Sequence, residues 1–417
     1  MARQNADALI QQVMAQVASA SSSVERNVEQ ILRAVRDHLR VDVAFVSEFG
    51  TRDRVFRYVL NEGGRLQLHA GDTMAMESGY CRGVVEGRIP QLIPDTARVP
   101  AAACLPETSA IPIGAHLSVP IVLGDGRVYG TFCCFSFEPN LSLDERDLHM
   151  MRAFAQLLAF QVEGDLAAVR DHGAKVERIS AVLEMGQPRI VYQPIYRLSD
   201  HTIVGVECLS RFDMEPRRPP DKWFDEANEI GLGVRLELNA MLTALDGLRA
   251  VPGGFYVALN VSPQTLVSGD VLEYLDVIQP GRIVMEITEH ALVDDYHPLQ
   301  ATVQKLRQAG VRFAVDDAGA GYANMRHILT LHPDIIKMDI SLTRSIDSDP
   351  SRKALAAAMI GFGHQTGSHV VAEGVETAQE LAALEVLGVD EVQGYHLSQP
   401  LSRDALFQAL RASKSLN

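Results

Sequence analysis

No run among the 417 residues approaches the roughly 20 consecutive apolar positions that a membrane-spanning helix needs. The first residues, MARQNADALIQQVMAQ, carry Asn and Gln where a signal peptide would need an apolar stretch, so the expected location is the cytoplasm. Cysteine is scarce: Cys81, Cys104, Cys133, Cys134 and Cys208 form no CxxC pair, and an odd number is a poor disulfide framework. Basic residues are outnumbered, 38 Lys and Arg against 53 Asp and Glu, for a net charge of −15. Binding to a nucleic-acid backbone needs a basic face, so neither nucleic-acid nor membrane-surface binding is expected. An anionic ligand would need a metal ion or a few local cations.

What is present is a soluble globular profile, 47% hydrophobic and 22% charged. At about 100 to 200 residues per domain, this length implies two or three domains.

The first half mixes helices with a sheet. Residues 5–40 have helical spacing around a Ser-rich break at 20–23, with apolar positions at Val28, Ile31, Leu32, Val35 and Leu39. Strand-like runs follow in VAFVSEF, VFRYVL, LSVPIVL and VYGTFCCF, the last two joined by the turn signal GDGR. Cys133 and Cys134 are neighbours in a strand, so they point to opposite faces and read as small core residues. A long helical stretch from about 143 to 185 closes this half and reads as a stiff connector and dimer seam. The expected class is an α+β ligand-binding or interaction module. The element order, with GYCRGVVEGRIPQLIPDT (79–96) and SVPIVLGDGRVYGTFCCF (118–135), resembles a GAF domain. Cys81 then reads as a core or pocket-wall thiol rather than a chromophore attachment point. The GAF ligand is not legible. The expected organisation is an amino-terminal helix at 1–23, a GAF-like sensory domain at 24–165, a connector helix at 166–182 and a catalytic domain at 183–413.

The second half has another rhythm. Strand candidates RIVYQPI, IVGVECL, FYVALNV, RIVMEI, RFAVD, DIIKM, HVVAE and DEVQ recur between residues 189 and 393. Most intervals after the second carry helical patterns, including WFDEANEIGLGVRLELNAMLTALDGL, LQATVQKLRQAG and AQELAALEVLG, the latter two closed by glycine. Strand–helix alternation of this extent predicts a (β/α)8 barrel. The first two strands are joined by a short link without a helix, so one of them is expected to run antiparallel to its neighbour.

Each strand candidate carries a polar group at or near its carboxyl end: Gln193, Glu207, Asn260, Glu286, Asp316 with Asp317, Lys337, Glu373 and Gln393. In a parallel barrel those ends share the face that carries the chemistry. Crowded carboxylates repel unless cations are present. Oxygen donors without His or Cys favour hard ions such as Mg²⁺ or Mn²⁺, and five acids suffice for two ions about 3.5 to 4 Å apart, an arrangement suited to in-line displacement at phosphorus. Asp316 would then lie between the ions and Asp317 on the second, while the small residues after them let the backbone turn away from a crowded site.

The motifs YQPI (192–195), ECLSR (207–211), NVSP (260–263), EITE (286–289), DDAGAGY (316–322), KMD (337–339), AEGVE (372–376) and QGY (393–395) follow the order of the EAL domain, a cyclic di-GMP phosphodiesterase family, which this half resembles. The resemblance implies that Glu207, Asn260, Glu286 and Asp316 bind a first metal, with Asp316, Asp317 and Glu373 around a second. It implies that Lys337 holds the attacking water and that Asp339 partners the lysine. Glu289 and Glu376 would support the loop after the fifth strand. Gln193, Leu209, Arg211 and Gln393 fall on the substrate side, with Arg211 reaching a phosphate. The implied reaction is hydrolysis of cyclic di-GMP to linear pGpG by a cytoplasmic homodimer under GAF control, with no cyclase pattern present. The sequence departs from the family at Cys208, Ser210, Ala318 and Ala320. The last two remove a Phe and a Thr from a loop that positions ligands, which motivates an alternative of weak catalysis and cyclic di-GMP reception through the connector helix.

Overall fold

The computed structural model describes residues 11, 24–61, 66–249, 254–271, 280–287, 295–318 and 328–414. The chain divides into two compact units, Met1–Asp171 and His172–Asn417. The boundary falls inside a helix running Glu145–Glu184, which contains the expected connector.

In the first unit six strands, β1 Val43–Phe49, β2 Asp53–Asn61, β3 Thr73–Ala75, β4 Leu92–Ile93, β5 Ala115–Val122 and β6 Val128–Ser136, form one antiparallel sheet in the order β3-β2-β1-β6-β5-β4. The run VAFV is apolar throughout because both faces of the sheet are covered. Ala44, Val46, Phe132 and Cys134 pack on one face with Val28, Ile31, Leu32 and Val35 of the helix Val24–Leu39 and with Met151, Phe154 and Leu158. Val43, Phe45, Cys133 and Phe135 pack on the other with Tyr80, Cys81, Ile93 and Ile113. Cys133 and Cys134 therefore do face opposite ways. The expected helical stretch before Val24 lies outside the described residues, apart from residue 11.

The second unit is a closed barrel of β7 Arg189–Arg197, β8 Ile203–Arg211, β9 Tyr256–Val261, β10 Ile283–Ile287, β11 Arg312–Ala318, β12 Ile335–Met338, β13 His369–Ala372 and β14 Glu391–Val392. All eight expected strands are present. Strand β7 runs antiparallel to both β8 and β14, whereas the remaining neighbours are parallel. The helical pattern over 223–248 forms two helices, Pro220–Glu229 and Gly233–Leu248. The break lies at Gly231, whose φ of 75° is a left-handed conformation that a β-carbon disfavours.

The barrel interior is layered. Ala258, Val284, Ala314, Ile335 and Val371 meet in one apolar cluster. Side chains of a strand return to the same face every second residue. The next interior positions towards the carboxyl ends are therefore Asn260, Glu286, Asp316, Lys337 and Glu373. The lumen changes from apolar to charged within a single step.

Candidate active site

Register sets the acids beside one another. Glu286 is paired with Asn260 across β10 and β9, Glu207 with Ala258 across β8 and β9, and Gln193 with Glu207 across β7 and β8. Because β7 is reversed, Gln193 does not reach this rim as a strand end. It arrives from mid-strand, opposite Glu207.

Lys337 stands at the centre, 1% exposed. Its Nζ lies 2.7 Å from Glu373 Oε1, 2.9 Å from Glu286 Oε2, 3.2 Å from Asp316 Oδ1 and 3.5 Å from Glu207 Oε2. Glu207 also accepts from Asn260 Nδ2 at 3.2 Å and from Gln393 Nε2 at 2.6 Å. The backbone N–H of Asp317 donates to Asp316 Oδ1 at 3.0 Å. Asp317 itself has φ 54°, a left-handed residue inside β11 where the register against β12 shifts between Val315 and Ala318.

The electrostatics follow from burial and crowding. Burial pushes the Glu207 carboxyl up, but the Lys337 charge and hydrogen bonds from Gln393 and Asn260 outweigh it and leave it below its ordinary value. Glu286 is held well above the carboxylate range by burial, against the pull of Lys337, with Glu207, Asp316 and Glu373 adding repulsion. Burial, with the charges of Asp316 and Glu207, brings Glu373 up to about 8 despite Lys337. Burial alone would lower Lys337; four surrounding acids instead drive it well above its ordinary value. A single ammonium faces four carboxyl groups, so the site carries more acid than its own cation balances.

Two carboxylate groups emerge, Glu207 with Glu286 and Asp316, and Asp316 with Asp317 and Glu373. Within each, one oxygen per residue lies inside 4.8 Å of the others, and Asp316 belongs to both. Among the described residues the buried Gln393 Oε1 has no hydrogen-bond partner, which leaves an oxygen donor beside Glu207. Hard oxygen donors in this number suit a divalent cation such as Mg²⁺ or Mn²⁺.

Other expected residues have different surroundings. Asp339 is not among the ion partners of Lys337 given by the described residues. Its side chain accepts from Ser341 N at 2.9 Å and caps the helix Ile340–Thr343. The strand leaves Asp339 two residues past Lys337, where the chain already turns into that helix. Glu376 forms an exposed ion pair with Arg344 Nη2 at 2.5 Å. Leu209 and Arg211 lie on the last turn of alternation of β8 beyond Glu207, both partly exposed, and Arg211 Nη1 donates to Ser210 O at 2.8 Å. Glu289 and Ala320 lie outside the described residues. Sequence reasoning did not single out Gly394, although its QGY motif marked the place. A β-carbon there would fall 2.1 Å from Val375 O and 2.3 Å from Val375 N.

Fold and site together define an α/β barrel with one reversed strand and an acidic mouth at the carboxyl ends of its parallel strands. The chain belongs to the EAL domain family, whose model matches residues 176–400, and a GAF domain model matches residues 21–163. It is 32% identical over 221 residues to the probable cyclic di-GMP phosphodiesterase PdeD of Escherichia coli strain K12, covering 50% of this chain and 41% of that protein. It is 30% identical over 239 residues to the cyclic di-GMP phosphodiesterase PA2567 of Pseudomonas aeruginosa, covering 53% of this chain and 40% of that one. The match therefore spans less than half the length of either relative. The solved PaMucR phosphodiesterase in complex with c-di-GMP shares the fold, with a TM-score of 0.51 at 24% identity over 56% of this chain and 99% of that chain. Among the described residues no helix is long and apolar enough to cross a membrane.

Proposed function

We propose that the barrel hydrolyses one phosphodiester bond of cyclic di-GMP to give linear pGpG, using divalent cations. The observation that carries this reading is the pair of carboxylate groups that share Asp316. Glu207, Asn260, Glu286 and Asp316 would hold one ion, and Asp316, Asp317 and Glu373 a second, with Mg²⁺ or Mn²⁺ as the matching hard ions. When bound, such ions supply the Lewis acidity that stabilises charge on a phosphodiester undergoing in-line displacement. The names of the curated relatives support the substrate.

The chain's own groups do the positioning. Lys337, kept charged by its acids, donates to the attacking water and orients it. Glu373, beside Lys337, would orient the second cation together with Asp316 and Asp317. Arg211 at the end of β8 offers its planar fork to a substrate phosphate. Gln193, Leu209 and Gln393 border the same space, and Gln393 holds Glu207 in orientation. Glu376 and Glu289 would support the loop after the fifth strand. In this reading residues 24–165 form the sensory domain, 166–182 the connector and 183–413 the catalytic domain, acting as a cytoplasmic homodimer.

The deciding assay incubates the full chain with cyclic di-GMP in Mg²⁺ or Mn²⁺ and in EDTA, and quantifies pGpG by chromatography. Product in the metal arms only, lost in Glu207→Gln, is expected. Binding of cyclic di-GMP without turnover in any arm would replace the hydrolase with a receptor, and product in EDTA would remove the metal.

A further inference from the structure

The first unit buries a charged and sulfur-bearing cluster that a hydrophobic core does not require. Arg54 of β2 is 1% exposed. Its Nη2 donates to Glu107, which also accepts from the Tyr80 N–H at 3.0 Å, and its Nη1 donates to Cys81 Sγ at 2.6 Å. Gly79 makes room for this, because a β-carbon there would lie 2.7 Å from the guanidinium. Cys81 Sγ in turn lies 3.6 Å from Cys133 Sγ. Cys133 is held in β6, with Ser118 Oγ 3.0 Å and Thr131 Oγ1 3.1 Å from its sulfur.

We propose that Cys81 and Cys133 form a modification site, a dithiol that a small peroxide oxidises to an intramolecular disulfide. The pair is asymmetric in the way such chemistry needs. Burial alone would push the Cys81 thiol up, but the hydrogen bond from Cys133 and the Arg54 charge bring it down to about 6. Burial and the neighbouring Cys81 raise Cys133 well above the ordinary thiol value. One sulfur is the nucleophile and the other the resolving thiol. Cys81 belongs to the short helix Tyr80–Val85 rather than to the sheet, and closing the bond requires the sulfurs to approach by about 1.5 Å.

The steps balance. The Cys81 thiolate attacks one peroxide oxygen, the O–O bond breaks, and the departing oxygen leaves as water or alcohol after taking a proton. The resulting sulfenic acid is attacked by the Cys133 sulfur; its S–O bond breaks, and the hydroxide released takes the Cys133 proton. Two thiols and one hydrogen peroxide yield one disulfide and two waters.

The test uses the full chain carrying Cys104→Ser, which removes the exposed thiol. After one equivalent of hydrogen peroxide, alkylation and digestion without reductant, a peptide linking Cys81 to Cys133 is expected, lost on treatment with dithiothreitol. In Cys133→Ser, a dimedone adduct should accumulate at Cys81. In Cys81→Ser, peroxide consumption should fall at least about tenfold. Sulfinic or sulfonic acid at Cys81 without a link to Cys133, or peroxide left unconsumed by the parent protein, overturns the proposal. Cross-link mapping in the parent decides the matter even if a serine variant fails to fold, and none of these readouts depends on phosphodiester hydrolysis.

Discussion

Lys337 and Glu373 meet at 2.7 Å where β12 and β13 end side by side, and the same ammonium touches three further carboxylates. Removing the positive partner from a buried ion cluster costs about 3 to 5 kcal/mol, because the remaining charges stay desolvated. Lys337→Met should therefore lower the melting temperature of the barrel in EDTA. Divalent cations can neutralise the same acids, so Mn²⁺ should restore much of that stability without restoring turnover. Melting curves in both buffers, paired with the pGpG assay, make the comparison; equal destabilisation with and without Mn²⁺ would show that the acids do not bind it.

Asp317 separates backbone from chemistry. Its φ of 54° costs an ordinary L-residue roughly 1 to 2 kcal/mol, less for Asp or Asn and nothing for Gly. Asp317→Asn and Asp317→Gly should keep the unfolding free energy within about 0.5 kcal/mol, whereas Asp317→Val should lose at least about 1 kcal/mol. All three should lose most of their pGpG formation if the carboxylate binds cation. Full activity in Asp317→Gly would confine the residue to a backbone role at the register shift of β11.

His116 predicts an acid weakness in the first unit. Burial, reinforced by Arg54, lowers its pKa from 6.5 to about 3, and its ring lies 4.3 Å from that of Tyr80. Below pH 6.5 the unfolded chain takes a proton that the folded one refuses, so stability falls with acidification down to about pH 3. The loss approaches about 1.4 kcal/mol per pH unit for one group. Hydrogen exchange of a β5 peptide under graded urea should report a steeper decline between pH 6 and 4 in the native chain than in His116→Gln. Parallel slopes would mean that another group governs the acid limit.

The barrel was readable because its strands are short apolar runs separated by helical patterns with glycine stops, and its reversed strand because no helix fits between β7 and β8. Strand ends pointed to Glu207, Asn260, Glu286, Asp316, Lys337 and Glu373, which the fold brings together. Gln193 needed the antiparallel register to explain its place, since the rule about carboxyl ends does not apply to a reversed strand. The family resemblance implied that Asp339 partners the lysine, yet a local N-cap bond claims its carboxylate. Least legible was the cluster of Arg54, Cys81, Glu107 and Cys133. An arginine in the run DRVFRYVLN reads as a solvated strand position, and its carboxylate partner lies 53 residues away on a short helix with no periodic signal.

Gly394 ties two site loops together, and its replacement tests how closely they are coupled. Val375 N donates to Gln393 O at 3.1 Å, and His396 N donates to Val375 O at 3.0 Å, so the segments carrying Glu373 and Gln393 are laced through Val375. An alanine methyl at 394 would collide with that backbone, which unlike a flexible side chain cannot swing aside. Overpacking of this kind costs about 1 to 3 kcal/mol and forces the segments apart. Because Gln393 holds Glu207 at 2.6 Å, the displacement reaches the acids directly. Gly394→Ala should thus lower both the melting temperature and the rate of pGpG release. Gly388→Ala is the control: φ there is 75° with nothing within 4 Å, so it should cost about 1 kcal/mol in stability and leave the rate alone. Equal rates in the two variants would show that the Val375 lacing does not position Glu207.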